Sequence, residues 1–264
     1  MRLPEDFFLK HKFSSIYGKS KYPANQISKW CDPVDTEEQF NAFISNPIKK
    51  NLLEANGWTV DSITYEFNNY GFRTPDNFNI KKPLEGDMYV GCSFTVGSAL
   101  NITDTWAYKV WQTQQGAFYN LGQCGAGIDT CYRLMKSWIP VLKPRKVYIL
   151  GFFDYRTEIF TDEGKLISLR PSNQNLSPLQ QTLFDEFYTS RLESALSMIR
   201  TFDAIRYIGH EHKVDILMPS LELLKTAEQM RHGNQCGFAR DLCHPGKKYH
   251  NFLSDNIEQW KKIN

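Results

Sequence analysis

The chain has 264 residues, 41% of them hydrophobic and 23% charged, which is enough apolar material for a sizeable core and rules out a disordered chain. Lys and Arg number 31 against 29 Asp and Glu, so the net charge of +2 offers none of the basic excess that a nucleic-acid partner demands. No apolar run approaches the ~20 residues of a membrane span, and the opening MRLPEDFFLKHKF sets acids and a proline where a secretory leader has its apolar core. The expected location is therefore cytoplasmic or otherwise reached without a signal peptide, and the sequon at Asn101–Ile102–Thr103 carries no meaning.

Thr36-Glu37-Glu38-Gln39 has the form of a capping box and starts a helical pattern through Phe40 and Phe43. Pro47 restarts the helix, which runs towards Gly57. SITYEF (62–67) alternates like a strand, and NNYG (68–71) is turn chemistry. A soft boundary follows at 81–86, KKPLEG, so residues 1–85 form an α+β arm packed on a main domain of 86–264.

Beyond Gly86 the rhythm changes. DMYVGCS (87–93) is a buried strand, TDTWAYKVWQTQQ (103–115) a helix, and AFYNLG (117–122) a second strand. DTCYRLMKSWIPVL (129–142) is helical until Pro140, and KVYILGFF (146–153) is a third strand. EIFTDEGKLISL (158–169) alternates about Glu163-Gly164 and predicts a hairpin insertion. Residues 181–206 predict a long amphipathic helix, with Phe184, Phe187, Leu192, Leu196, Ile199 and Phe202 on its apolar face. KVDILMP (213–219) is a fourth strand, SLELLKTAEQM (220–230) a Ser-capped helix, and HNFLSDNIEQWKK (250–262) a C-terminal helix. Apolar strands that alternate with helices predict a parallel sheet covered on both faces. In such a sheet ligands bind beyond the carboxyl ends of the strands. That edge collects Ser93, the 122–125 turn, Asp154 and Arg156.

Six cysteines, at 31, 92, 124, 131, 236 and 243, include no C-x-x-C pair and read as buried free thiols. Cys236, Cys243, His244 and His250 could sketch a zinc site, but His244 has a competing use, and no metal is expected. His210-Glu211-His212 lacks metalloprotease spacing and falls in a linker before the fourth strand. Cys92 turns away from the face that Ser93 uses, because strand residues alternate.

Three short segments carry chemistry. GCSFTVG (91–97) sets a serine between small residues at a strand end, though not in the G-x-S-x-G form of a nucleophile elbow. YNLGQCGAGID (119–129) has glycines at 122, 125 and 127 whose backbone amides suit either an oxyanion hole or a plain strand-to-helix turn. ARDLCHPGKKYHNFLSD (239–255) puts Asp241 three residues before His244, close enough for a carboxylate to hold the imidazole Nδ1 proton and leave Nε2 for a hydroxyl.

Their order and the α/β rhythm between them resemble the SGNH (GDSL-type) hydrolase family over roughly residues 67–260, and FNNYGFR (67–73) is similar to a segment preceding this domain in some members. The resemblance implies a three-layer α/β/α sandwich with a flavodoxin-like sheet. It implies Ser93 as nucleophile, His244 as general base, Asp241 as its orienting partner, and the backbone N–H groups of Ser93 and Gly125 as oxyanion donors. Family members mostly hydrolyse esters, including sugar acetyl and lipid esters, without metal or organic cofactor. Two positions depart from the pattern. Cys92 stands where the family has Asp, and Phe153 stands in Gly151-Phe152-Phe153-Asp154 where it has an oxyanion-donating Asn. Losing such a donor costs about 3 kcal/mol of transition-state stabilisation. Arg156 is the candidate substitute, the competing reading being a pair with Asp154 or Glu158.

The expected function is hydrolysis of a small acyl ester. An O-acetylated carbohydrate is the favoured substrate, on the family and on the 14% aromatic content. The expected partner is this small-molecule or glycan ester, with neither nucleic acid nor membrane. Two alternatives keep the same residues: a non-catalytic carbohydrate- or ligand-binding module, and an acyltransferase. The hairpin and the aromatic-rich arm could overhang the site as a lid or sugar platform.

Overall fold

The computed structural model describes residues 18–31, 33–151, 156–160, 166–169, 177–183, 185, 191–233 and 235–264. The fold is mixed α/β. Its strands are β1 (Ile27–Ser28), β2 (Tyr65–Glu66), β3 (Gly86–Gly91), β4 (Ala117–Asn120), β5 (Lys146–Leu150), β6 (Thr157–Phe160), β7 (Leu166–Leu169), β8 (Asp215–Pro219) and β9 (Trp260–Lys262). Its α-helices are α1 (Glu37–Ile44), α2 (Pro47–Ala55), α3 (Ser93–Val96), α4 (Trp106–Gln114), α5 (Ile128–Leu142), α6 (Pro178–Leu183), α7 (Arg191–His212), α8 (Leu221–His232) and α9 (Lys247–Asp255). None of the described helices is long and apolar enough to cross a membrane.

The main sheet runs in the order β4-β3-β5-β8-β9. The first four strands are parallel, and β9 is antiparallel to β8. Register aligns Tyr119, Met88, Val147 and Ile216 in one row, and Tyr89, Tyr148 and Leu217 in the next. Because strand side chains alternate, the two rows feed separate cores. The first row packs with Leu134, Met135, Trp138 and Ile139 of α5 and with Ile205 and Ile208 of α7. The second packs with Trp106 and Val110 of α4, Leu223 and Ala227 of α8, and Tyr249 and Leu253 of α9.

Local chemistry sets several boundaries. Thr36 accepts the Gln39 amide at the start of α1, and Asn46 accepts those of Ile48 and Lys49 before Pro47 of α2. Thr105 and Ser220 cap α4 and α8 in the same way. SITYEF contributes only the two residues of β2, which pair with a strand at 27–28 that lacks any periodic signal.

Three expectations need correction. The C-terminal helix ends at Asp255; a 3-10 turn at Ile257–Gln259 then leads into β9, so the sheet is not wholly parallel. Trp260 decides this end, since its buried ring packs on Trp106 and Tyr148. The long helix runs on to His212, which places His210 and His212 in its last turn rather than in a linker. Its buried positions are Ile205 and Ile208, whereas Leu196 and Ile199 of the expected face are exposed; Phe184, Phe187 and the Leu192 side chain lie outside the described residues. Finally, α5 continues past Pro140 to Leu142 before Lys143 turns left-handed. A proline this close to a helix end forfeits a single backbone bond.

The two strands of the expected hairpin pair, β6 antiparallel to β7, and the base of β6 is fastened to α5. Thr157 donates to Asp129, while Thr130 and the buried Arg133 both bond Glu158. The described residues of 18–73 form no separate core. Phe40, Phe43, Leu53, Tyr65 and Phe67 share one cluster with Val96, Ala99, Leu100, Cys124 and Ala239, all from segments flanking the candidate site.

Candidate active site

Ser93 is the first residue of α3, the four-residue helix that leaves the carboxyl end of β3, and it is buried. Glycines let this helix seat closely. A Cβ on Gly122 would lie 2.5 Å from the Val96 nitrogen, and one on Gly91 would lie 2.0 Å from the Leu150 oxygen and 2.3 Å from Thr95 Oγ1. Asn120 links the helix to the glycine loop: its Nδ2 donates to the Thr95 carbonyl (3.2 Å) while its Oδ1 accepts the Gly122 amide (3.0 Å). The Gln123 amide donates to the Gly91 carbonyl (2.9 Å), which draws the loop against the end of β3. At the other end of α3, Arg73 of the FNNYGFR segment donates to the carbonyls of Val96, Gly97 and Leu100.

Gly125 follows a residue held from the N-terminal region. The Cys124 amide donates to the Tyr22 hydroxyl (3.0 Å), and Lys21 Nζ donates to the Cys124 carbonyl (2.6 Å). Cys124 is a second buried nucleophile-type group at this spot. Burial opposes its thiolate, but hydrogen bonds with Cys31, Ser98 and Tyr22 and the charge of Lys21 outweigh that and bring its pKa down to about 5. Cys92, by contrast, is buried and raised, desolvation being the leading cause. Five of the six free cysteines are buried; Cys243 is exposed, contrary to expectation.

Asp241 and His244 meet as the spacing predicts. Asp241 Oδ1 accepts the amides of Cys243 (3.1 Å) and His244 (3.0 Å), and Oδ2 bonds His244 Nδ1. Burial works against the imidazolium, yet the hydrogen bond and charge of Asp241 exceed it, so the His244 pKa is raised above its ordinary value. With Nδ1 held by the carboxylate, neutral His244 keeps its lone pair on Nε2. The loop is fixed by its own turn, in which Ala239 donates to the His244 carbonyl (3.0 Å). It is fixed also by Arg240, whose amide donates to the Ala99 carbonyl (3.0 Å) and whose guanidinium grips Asp35 at 3.1 and 2.7 Å. Asp35 in turn accepts from the Tyr65 hydroxyl (2.6 Å), which accepts the Ala99 amide (2.7 Å).

The serine and histidine segments touch through Phe94, whose ring stands edge-on to His244 at 5.7 Å between centroids. Among the described residues no hydrogen bond joins Ser93 to His244, whose ring bonds Asp241. Such contacts often tighten only when substrate binds. Arg156 sits beside the glycine loop, its backbone against Gly127 and its Nη1 3.4 Å from the Ala126 carbonyl. Glu158 is taken by Arg133 rather than by Arg156. Phe153 and Asp154 lie outside the described residues.

No described group of three or more His, Cys, Asp or Glu side chains could hold a metal ion. Of the sketched zinc set, His244 is committed to Asp241. His250 is buried; its Nδ1 accepts the Trp106 amide (3.2 Å), and desolvation, helped by His244 and Lys109, lowers its pKa to about 3.

Sequence reasoning missed the positioning residues Tyr22, Asp35, Tyr65, Arg73 and Arg240. The two local signals were that Arg240 adjoins Asp241 and that Arg73 ends a segment already singled out. In comparison with known proteins, the chain matches no family model and no curated protein.

Proposed function

We propose that the chain is an SGNH-type serine ester hydrolase with a three-layer, flavodoxin-like domain, and that it cleaves small acyl esters. The Asp241–His244 pair carries this reading: a buried carboxylate with one oxygen on two backbone amides and the other on Nδ1, which leaves Nε2 as the basic nitrogen of a ring that packs against Phe94, the neighbour of Ser93. The strand order β4-β3-β5-β8 supports the flavodoxin-like part.

In this mechanism the Ser93 hydroxyl turns towards His244, which takes its proton as Oγ attacks the ester carbonyl. The amides of Ser93 and Gly125 receive the oxyanion, with Arg156 as a third donor. His244 returns the proton to the departing alcohol. Water then attacks the acyl-enzyme, giving up a proton to His244, and the acid leaves as Ser93 is reprotonated. No metal or organic cofactor takes part. A carbohydrate alcohol now rests on the family resemblance alone. Trp106, Trp260, Tyr89 and Tyr148, which swell the aromatic content, are core residues rather than a sugar platform.

Ser93→Ala should lower p-nitrophenyl acetate turnover by about 10⁶-fold with an unchanged circular dichroism spectrum. A fluorophosphonate should label the native protein at Ser93. Undiminished turnover in the variant removes the proposal. The lack of a Ser93–His244 hydrogen bond among the described residues favours a second reading, a ligand-binding module that keeps the fold without the chemistry. It gains the case if Ser93 resists the probe while a sugar or ester ligand binds.

A further inference from the structure

A cavity of about 170 Å³ opens on the sheet face opposite α5. Its walls come from Cys92 and Phe94, the residues on either side of Ser93; from Leu150 and Gly151 at the end of β5; and from Leu224 and Tyr249 of α8 and α9. Phe94 is common to cavity and base. Its ring stands steeply to Tyr249 (5.5 Å between centroids) and to His244 (5.7 Å), so a wall of the cavity packs directly on the imidazole. The charged member, Glu228, is paired with Arg231 at 3.2 Å, and its side chain is 40% exposed, which puts it at the rim rather than the floor.

We infer that this cavity is the acyl site of the hydrolase proposed above, and that it selects unbranched acyl chains of about four to six carbons, since a dry apolar cavity of about 150 Å³ holds benzene. An acetyl group leaves most of such a space unfilled, and a chain of ten carbons overruns it. The inference rests on the ester-hydrolase reading for the reaction, but only on the cavity for the ligand class. It therefore departs from the acetyl substrate that the family resemblance implies.

The test compares p-nitrophenyl acetate, butyrate, hexanoate and decanoate. Each methylene buried from water adds about fourfold, so kcat/KM should rise on the order of a hundredfold from acetate to hexanoate and fall again at decanoate. Leu224→Trp, which fills the cavity from α8, should cut the hexanoate-to-acetate ratio at least tenfold. A second measurement needs no new packing: in the Ser93→Ala protein, hexanoate should give nuclear Overhauser contacts from its methyl group to the Phe94 and Tyr249 rings, and acetate none. Ser93-dependent hydrolysis that is best with acetate, or a ratio that Leu224→Trp leaves alone, overturns the acyl site and leaves the hydrolase standing. If no ester is cleaved, the hydrolase reading falls. The ring contacts then decide: their presence keeps the cavity's ligand class, and their absence overturns it.

Discussion

Both halves of the site are tied to residues 18–73 through a buried guanidinium, but the two ties are built differently. On the serine side Arg73 gives its hydrogen bonds only to neutral carbonyls, those of Thr64, Val96, Gly97 and Leu100, and lies 4.2 Å from the Tyr65 ring centroid. Its Nε has no partner among the described residues, and burial lowers its pKa. On the histidine side Arg240 holds Asp35 with two nitrogens and lies 4.2 Å from the Trp30 ring centroid. One half is thus clamped by a charge that the surrounding dipoles must satisfy, the other by a neutralised pair. A charge held by dipoles costs desolvation whether or not the clamp is intact, whereas a pair turns costly when one member is lost. The two ties should therefore fail in different ways.

The largest effect expected on the histidine side leaves both clamps untouched. Asp241→Asn keeps the shape of the histidine loop but favours the wrong imidazole tautomer, so ester turnover should fall about 10⁴-fold. Urea denaturation should show the fold retained. A variant that keeps more than a tenth of wild-type kcat would separate this loop from catalysis and leave the histidine-side clamp with a structural purpose alone.

Next come the clamps themselves. Arg240→Met strands the Asp35 carboxylate at 2% side-chain exposure, and removing one member of a buried pair typically costs about 3–5 kcal/mol. Adding Asp35→Asn to it should return most of that loss. Arg73→Met removes donors from backbone oxygens and also relieves a desolvated charge, so the net cost should be smaller, about 1–3 kcal/mol, and no single partner substitution should recover it. Denaturation midpoints of the four proteins measure this directly. An Arg73→Met loss that equals or exceeds that of Arg240→Met would reverse the comparison.

These clamps were the part of the molecule that the sequence kept hidden. Strands β3, β4, β5 and β8, the caps at Thr36 and Ser220, and the Asp241–His244 contact depend on neighbours within a few residues, and periodicity or spacing exposes them. Arg240 and Asp35 are 205 positions apart, and nothing in either neighbourhood marks the other. The same limit explains the C-terminus. NFLSDNIEQW has helical periodicity at first, but Trp260 finds Trp106 and Tyr148, and tertiary burial turns the end into an edge strand. The apolar residues of α7 misled for a related reason. Ile205 and Ile208 face α5 and the sheet, while Ile199, an equally apolar residue, stays 54% exposed. GCSFTVG needed glycines for a reason the sequence could not specify. Gly91 and Gly122 admit α3 to the sheet edge and loop, so their smallness serves the seating of Ser93 rather than the approach of substrate.

The smallest expected effect concerns pH and belongs to the histidine side alone. Neutral His244 is the active form of the base, so kcat/KM should rise with pH through its raised pKa, on the alkaline side of the ordinary histidine value of about 6.5. Stability moves the other way. A histidine whose folded pKa lies above its unfolded one stabilises the fold fully below about pH 6.5 and loses that contribution as pH climbs through the folded value. Activity should therefore gain over the same interval in which the denaturation midpoint declines. Asp241→Asn removes the larger causes that raise the pKa and leaves burial, which lowers it, against the smaller raising charge of Cys124. The His244 Cε1–H resonance should then titrate at lower pH than in the wild type, and the stability decline should vanish from the alkaline side. An unmoved resonance would mean that a group other than Asp241 holds the imidazolium. The nearby cation Arg231 is not that group, because it too acts to lower the pKa. The raised titration is in this way chiefly a signature of the carboxylate contact, with a smaller part from Cys124, and is readable without substrate. Arg73→Met, on the serine side, should leave it in place.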